Sequence, residues 1–284
     1  MHSEAVTRRP ATRVQVHRIT AQGEAALQTQ PDEVVTEEPM EIRLAGPGQS
    51  PEALAVTMRT PGHDFELAAG FCRTEGLIHS VADVNEIRYC LDADDDQEYN
   101  IVTVRLRAPV DLDARRRSFI ANSSCGLCGA TSIDQVVLDV PPVAASPVIG
   151  CSLLLSLPER ARQAQSVFDA TGGLHAAALF DAEGNMVLVR EDIGRHNALD
   201  KIIGHALLQD MLPLENSVVL VSGRVSFEIV QKAAVAGIGI VAAVSAPSSL
   251  AIQAAERLNQ TLVGFLREGR GNIYTHPGRI DMAH

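Results

Sequence analysis

Ser217-Val218-Val219-Leu220-Val221-Ser222-Gly223-Arg224 opens the stretch of sequence that decides the fold. An apolar, β-branched run that stops at a small-residue turn reads as a buried strand followed by a loop. Phe227 to Ala236 then reads as a helix, Ile238 to Val244 as a second buried strand and Leu250 to Asn259 as a second helix. Thr261 to Leu266 reads as a third strand. Strand–helix–strand–helix–strand predicts a parallel α/β sheet with right-handed crossovers. Strands this uniformly apolar predict a sheet covered on both faces.

In such a sheet, ligands bind beyond the carboxyl ends of the strands, where helix N-termini present free N–H groups. Three loops are predicted at that edge: Ser222-Gly223-Arg224, Ala246-Pro247-Ser248-Ser249, and Arg267-Glu268-Gly269-Arg270-Gly271-Asn272. They supply small residues for close backbone approach, hydroxyls, and the guanidiniums of Arg224, Arg267 and Arg270. Guanidinium suits bidentate phosphate contact. Neither G-x-G-x-x-G nor a Walker A sequence is present, which disfavours a standard dinucleotide fold or a P-loop enzyme.

Upstream the pattern changes. Residues 1–30 are polar and aperiodic and read as a loose tail. Glu41 to Ala45 and Leu54 to Arg59 read as strands broken by Gly46-Pro47-Gly48. Asp64 to Thr74 reads as a helix whose apolar face is Phe65, Ala68, Ala69 and Cys72. Val84 to Cys90 and Ile101 to Arg107 read as a strand pair around the acidic tip Asp92 to Asp96. The Pro-rich piece from Pro141-Pro142 to Pro147 reads as the seam between two halves. Beyond it, Pro158 to Ala170 reads as a helix opened by Ser156 and closed by Thr171-Gly172-Gly173. His175 to Phe180 and Met186 to Arg190 read as a hairpin, followed by a helix bearing Leu199, Ile202, Ile203, Ala206 and Leu207. The expected organisation is a tail (1–30), a smaller α+β domain (31–145) and a larger α/β domain (146–284).

Composition narrows the function classes. The 284 residues carry 24 Lys and Arg against 35 Asp and Glu, a formal charge of −11. Phosphate-backbone binding needs concentrated basic residues, and base stacking needs aromatics, here 4% with no Trp. Nucleic acid is therefore not an expected partner. The longest apolar stretch, Ala233 to Val244, falls short of the ~20 residues that span a bilayer. The Arg residues near the N-terminus precede no apolar block of the secretory kind. A cytoplasmic protein without a membrane partner is expected.

The five cysteines, Cys72, Cys90, Cys125, Cys128 and Cys151, are an odd number, which favours free thiols over a disulfide framework. Cys72, Cys90 and Cys151 read as small apolar packing residues. Cys125-Gly126-Leu127-Cys128 lies in a Ser-, Asn- and Gly-rich segment and reads as an accessible loop. Arg115-Arg116-Arg117, or a helix starting near Thr131, would lower a thiol pKa there. Locally it fits half of a zinc site completed by His63, His175 or His196, a redox pair, or a sulfur carrier with a resolving neighbour. His175 resembles the His of the deaminase H-x-E pattern, but Ala177 occupies the Glu position, so deaminase chemistry lacks its general acid/base. Asp192-Ile193-Gly194-Arg195-His196-Asn197-Ala198-Leu199-Asp200-Lys201 concentrates five charged or imidazole groups at a helix entrance, more than a capping network needs, and reads as part of a site.

Taken together, the motifs Cys125-Gly126-Leu127-Cys128-Gly129, Thr171-Gly172-Gly173-Leu174-His175-Ala176-Ala177 and Glu191-Asp192-Ile193-Gly194-Arg195-His196-Asn197-Ala198-Leu199-Asp200-Lys201 occur in one order with three more. These are Ser222-Gly223-Arg224, Ser226-Phe227-Glu228-Ile229 and Ala243-Val244-Ser245-Ala246-Pro247-Ser248-Ser249. The chain, from about Glu33 to Ile280, resembles the sulfur-carrier accessory proteins of formate dehydrogenase, the FdhD family. The resemblance implies a cytidine deaminase-like three-layer α/β sandwich with a smaller α+β N-terminal domain, assembled as a homodimer. It implies a sulfurtransferase that accepts sulfur from a cysteine desulfurase as a persulfide. The sulfur passes to the molybdenum or tungsten bis(molybdopterin guanine dinucleotide) cofactor before that cofactor enters formate dehydrogenase. Guanine nucleotide such as GDP would mimic the cofactor. The persulfide carrier falls on Cys125, with Cys128 supporting transfer, and the cofactor-binding stretch on Phe265, Leu266, Arg267, Glu268, Gly269 and Arg270. Ser222, Gly223, Arg224 and Ser248 join them from the sheet-edge reading.

Overall fold

The computed structural model describes residues 9–20, 26–90, 99–110 and 140–283. The Cys125–Cys128 loop, Arg115–Arg117, Thr131 and the acidic tip at Asp92–Asp96 lie outside the described residues.

The C-terminal half is built as its strands predict. Strands β10 (Ser217–Val221), β11 (Ile240–Ala243) and β12 (Thr261–Arg267) pair in parallel at the centre of a six-stranded sheet. The sheet is mixed rather than wholly parallel. β13 (Arg270–Ile273) folds back antiparallel on β12, while the hairpin of β8 (His175–Asp181) and β9 (Met186–Asp192) adds antiparallel beside β10. The order is β13-β12-β11-β10-β8-β9, and the short β7 (Ile149–Gly150) pairs outside it with β14 (Ile280–Asp281). The β8–β9 turn is fixed locally, because Asp181 Oδ1 accepts from the backbone N–H groups of Glu183 (3.0 Å) and Asn185 (2.7 Å).

Both sheet faces are covered. On one face Ala177, Leu179, Val219, Val221, Val241 and Leu262 meet three helices: α4 (Arg195–Leu208), α5 (Phe227–Val235) and α6 (Ser249–Arg257). On the other, Ala178, Phe180, Val218, Leu220, Ile240 and Ala242 meet Leu154, Leu157 and Ala161 of α2 (Cys151–Gln163). Alternate residues of each strand thus feed opposite cores, as the two-residue side-chain period requires.

α2 departs from the expected helix over 158–170. It starts seven residues earlier, carries Pro158 inside, and gives way to a separate helix α3 (Ser166–Thr171) closed by Gly172 at φ 68°. The i, i+3, i+7 stripe of Leu154, Leu157 and Ala161 packs against the sheet and outweighs the lost Pro158 hydrogen bond. Ser156 sits mid-helix, donating to Leu153 O at 2.7 Å, and caps nothing.

The N-terminal sheet has the order β4-β3-β6-β5, from β3 (Glu38–Ala45), β4 (Glu52–Arg59), β5 (Val84–Tyr89) and β6 (Ile101–Leu106). Helix α1 (Asp64–Thr74) covers it through Leu67, Ala68 and Cys72, which join Met40, Ile42, Leu44, Val102 and Val104 in a second core. Phe65 is instead largely exposed, its ring 4.8 Å from Tyr89; Leu67 and Gly70 complete the buried face.

The tail reading of residues 1–30 is corrected where the chain is described. β1 (Ala11–Thr20) and β2 (Ala26–Val35) form a continuous antiparallel ribbon. Its order comes from cross-strand partners, such as Arg13 with Glu33 (3.1 Å) and His17 with Thr29 (2.9 Å), which local polarity does not reveal.

α1 and α4 join the two halves. A Cβ on Gly70 would lie 1.8 Å from Asp200 O, and one on Gly204 the same distance from Glu66 O, so backbone packs on backbone. Below this crossing, buried Lys201 pairs with buried Asp192 (Nζ–Oδ2 2.7 Å) and donates to Thr60 O and Glu191 O. No helix of the described residues is long and apolar enough to cross a membrane.

Candidate functional site

The sheet register brings the carboxyl ends of β9, β10, β11 and β12 to one edge. Each of α4, α5 and α6 begins there. Val225 N donates to Ala246 O, Ser248 N to Val225 O, and Phe265 N to Ser245 O (3.0 Å), lacing the three loops together. Ser222, Gly223, Arg224, Ser248 and the loop from Arg267 therefore lie at this edge, as the sheet reading predicts, and Phe265 and Leu266, which the resemblance adds, lead into that loop at the end of β12.

Their side chains have different circumstances. Ser222 Oγ accepts from Ala176 N at 2.9 Å, fastening β10 to β8 and leaving its hydroxyl proton to donate. Arg224 is exposed. Ser248 is the N-cap of α6, its Oγ accepting from Ala251 N at 3.1 Å. Phe265 adopts φ 54° and is 37% exposed, whereas Leu266 is buried in the core shared with α2 and reaches the edge only through its backbone. Glu268 (φ 53°) and Gly269 (φ 71°) form the tip of the β12–β13 hairpin, the left-handed geometry a two-residue hairpin needs. Exposed Glu268 and Arg270 pair across this tip at 3.2 Å, so among the described residues Arg267 is the hairpin guanidinium without an ion-pair partner.

A second group of side chains meets at the β8–β9–β10 end of the same edge. His175 begins β8 opposite Asp192 at the end of β9. A Cβ on Gly223 would lie 3.3 Å from His175 Nδ1 and 3.4 Å from Arg195 Cδ, so these two side chains flank a bare backbone. Burial pushes the His175 imidazole below its ordinary range, and the charges of Arg195 and His196 add to this; Asp192 opposes it. His196 Nε2 lies 3.0 Å from both Ser226 Oγ and Glu228 Oε2. Both partners share one ring nitrogen, so this is not the relay of a serine hydrolase, which uses one nitrogen for each. The hydrogen bond from His196 holds the Glu228 carboxyl below the usual carboxylate range.

The polar stretch after β9 thus divides. Asp192, Asn197, Asp200 and Lys201 are buried and structural: Asp192 Oδ1 accepts from Gly194 N and Asn197 Nδ2, and Asp200 pairs with Lys232 at 2.8 Å. Arg195 and His196 remain at the edge. The polarity of the stretch does not single out these two; the signal that does is Gly194, which places them in the first turn of a helix that leaves a strand end. Ala177, in the deaminase Glu position, is fully buried core. Among the described residues no three His, Cys, Asp or Glu side chains gather as a metal set. Burial pushes the Cys72 thiol up to about 12, with Asp200 and Glu75 adding to the shift, and Cys90 and Cys151 are half-buried.

Comparison with known proteins bears on all of this. A family model described as the FdhD/NarQ family matches residues 35–281. The chain is 52% identical over 257 residues to the sulfur carrier protein FdhD of Mycolicibacterium paratuberculosis, covering 88% of this chain and 92% of that protein. It is 51% identical over 268 residues to that of Streptomyces avermitilis, covering 90% and 92%. With the sulfur carrier protein FdhD of Saccharolobus solfataricus the figures are 43% over 249 residues, 88% and 91%. The crystal structure of "a putative formate dehydrogenase accessory protein from Desulfotalea psychrophila" superposes with a TM-score of 0.72 at 24% identity, covering 96% of this chain and all of that one. That likeness speaks for the fold. The family match and the extent of identity settle the membership: this chain belongs to the FdhD/NarQ family.

Proposed function

We propose that the chain is a sulfur carrier serving formate dehydrogenase, moving sulfur from a cysteine desulfurase to the bis(molybdopterin guanine dinucleotide) cofactor. The observation that carries this reading is the laced sheet edge. Three helix N-termini, Arg224 and the Arg267–Arg270 hairpin meet there, in a chain whose relatives are named sulfur carrier proteins. Helix N-termini and guanidiniums together favour a phosphate-bearing ligand. A homodimer, a cytoplasmic location and deaminase-like layering of the larger half belong to the same proposal. The sheet covered by helices on both faces supports the last of these.

The chemistry falls to Cys125 and Cys128. The Cys125 thiolate attacks the outer sulfur of the desulfurase persulfide. A new S–S bond forms on Cys125, the old one breaks, and its electron pair leaves on the desulfurase thiolate. The Cys128 thiolate then attacks Cys125 Sγ, releasing the outer sulfur as sulfide to the metal of the cofactor and leaving a Cys125–Cys128 disulfide. A cellular dithiol reduces that disulfide and resets the carrier. The guanine nucleotide ends of the cofactor anchor at the sheet edge, so binding energy comes from groups remote from the reacting sulfur.

Sulfur loading tests the reading. With desulfurase and labelled cysteine, the wild-type chain should hold one labile sulfane sulfur. Cys125→Ala should hold none, and Cys128→Ala should load but fail to pass its sulfur on. Persulfide retained in Cys125→Ala, or one tightly held zinc per chain in place of sulfur, would overturn it.

A further inference from the structure

We propose that His175, Arg195 and the Gly223 backbone form a seat for a phosphoryl group, separate from the Arg267–Arg270 hairpin and lying two strands away from it. The inference rests on the cofactor-anchoring reading above and adds to it His175 and Arg195, which that reading does not use.

Four observations carry it. First, the Nε of Arg195 is buried and has no hydrogen-bond partner among the described residues. A buried guanidinium donor left unpaired costs its desolvation unless a ligand meets it. Second, Gly223 sets bare backbone between His175 and Arg195, where a Cβ would lie 3.3 Å from His175 Nδ1 and 3.4 Å from Arg195 Cδ. Third, α4 and α5 both begin here without a side-chain cap: the N-cap of α4 is Gly194, and Ser226, the N-cap of α5, turns its hydroxyl to His196. Their first-turn N–H groups therefore have no side-chain acceptor. Fourth, the carboxylates beside the seat already have partners: Asp192, opposite His175, is paired with Lys201 at 2.7 Å, and Glu228, which also feels the Arg195 charge, meets His196 at 3.0 Å.

The electrostatics agree. Burial, Arg195 and His196 disfavour a charge on His175, and only Asp192 favours one. A bound phosphoryl anion reverses that balance, so His175 takes up a proton as the seat fills. Filling the seat then draws a proton onto His175, whereas the exposed hairpin offers no group that takes one up.

The probes are pyrophosphate, guanosine diphosphate and guanosine, titrated calorimetrically into the full chain. The wild-type protein should bind pyrophosphate and the diphosphate, each with proton uptake near neutral pH, and guanosine much more weakly. Arg195→Gln and His175→Gln should each weaken pyrophosphate about tenfold. An Arg267→Gln/Arg270→Gln double variant should leave pyrophosphate within about threefold, while weakening the nucleotide. A wild-type measurement independent of any variant's folding is the NMR titration of His175, which should move to higher pH with pyrophosphate. Pyrophosphate affinity unchanged in Arg195→Gln, or a His175 titration unmoved by saturating pyrophosphate, would overturn the seat. Loss of nucleotide affinity only in the hairpin variant would overturn the seat and leave the anchoring reading standing. Pyrophosphate binding that depends on Arg195, with no added affinity for the guanine nucleotide, would support the seat and remove the anchoring reading.

Discussion

Glu66 sits where α1, β9 and α4 meet, with Arg190 Nε at 2.6 Å, Arg190 Nη2 at 2.8 Å and His205 Nδ1 at 3.0 Å. Burial alone would raise its carboxyl. The hydrogen bonds from Arg190, His63 and His205, with the Arg190 charge, win and hold it well below the usual carboxylate range. A carboxyl depressed in the folded state stabilises it above the unfolded pKa, and that contribution fades as pH falls below about 4.3. Glu66→Gln should therefore cost about 2 kcal/mol at neutral pH, read from denaturant unfolding. The difference from wild type should shrink as the pH is taken down through the acid range. Thiol reactivity is the other residue-scale expectation: at pH 7.5 an electrophile should modify Cys125 or Cys128 and spare Cys72, whose thiolate is suppressed by burial. Residue identity made the arginines of the edge legible in the sequence. It did not separate Arg195 and His196 from Asp192 and Lys201, because a helix entrance looks equally polar whether its groups face a core or a ligand.

The crossing of α1 and α4 depends on two glycines with backbone pressed against each. Gly70→Ala or Gly204→Ala places a methyl 1.8 Å from a carbonyl oxygen that no rotamer change can move. Each should cost about 3 kcal/mol, seen as a lowered thermal midpoint or loss of soluble protein. A Gly→Ala change at exposed Gly278, which has open space around it, is the control. Elements with strong local patterns were legible. Asp64 to Thr74 and Ser217 to Val221 fold over the spans their patterns mark, because caps and turns bound an unbroken periodicity. The β1–β2 ribbon and the early start of α2 were not. The ribbon depends on partners in the neighbouring strand, and the rule placing proline in a first helical turn misleads where a packed stripe carries a helix through Pro158.

Across the whole molecule, α4 belongs to both halves: Leu199, Ile202 and Ile203 lie in the larger core and Leu207 in the N-terminal one. The Lys201–Asp192 pair, tied to Thr60, locks the same join. Lys201→Met should leave Asp192 as an uncompensated buried charge and cost about 3–5 kcal/mol by chemical denaturation. Adding Asp192→Asn to it should recover much of that loss. Both substitutions should leave a single unfolding transition, since neither half keeps its core when α4 departs. Nothing in local composition announces that one helix serves both halves. A helix shared in this way also orders the timescales on which the backbone meets solvent. Amide protons along residues 198–207 should exchange with deuterium only when the entire protein opens. Those of the Arg267–Arg270 tip should exchange through local opening, leaving the ligand edge supple above a slow-exchanging centre.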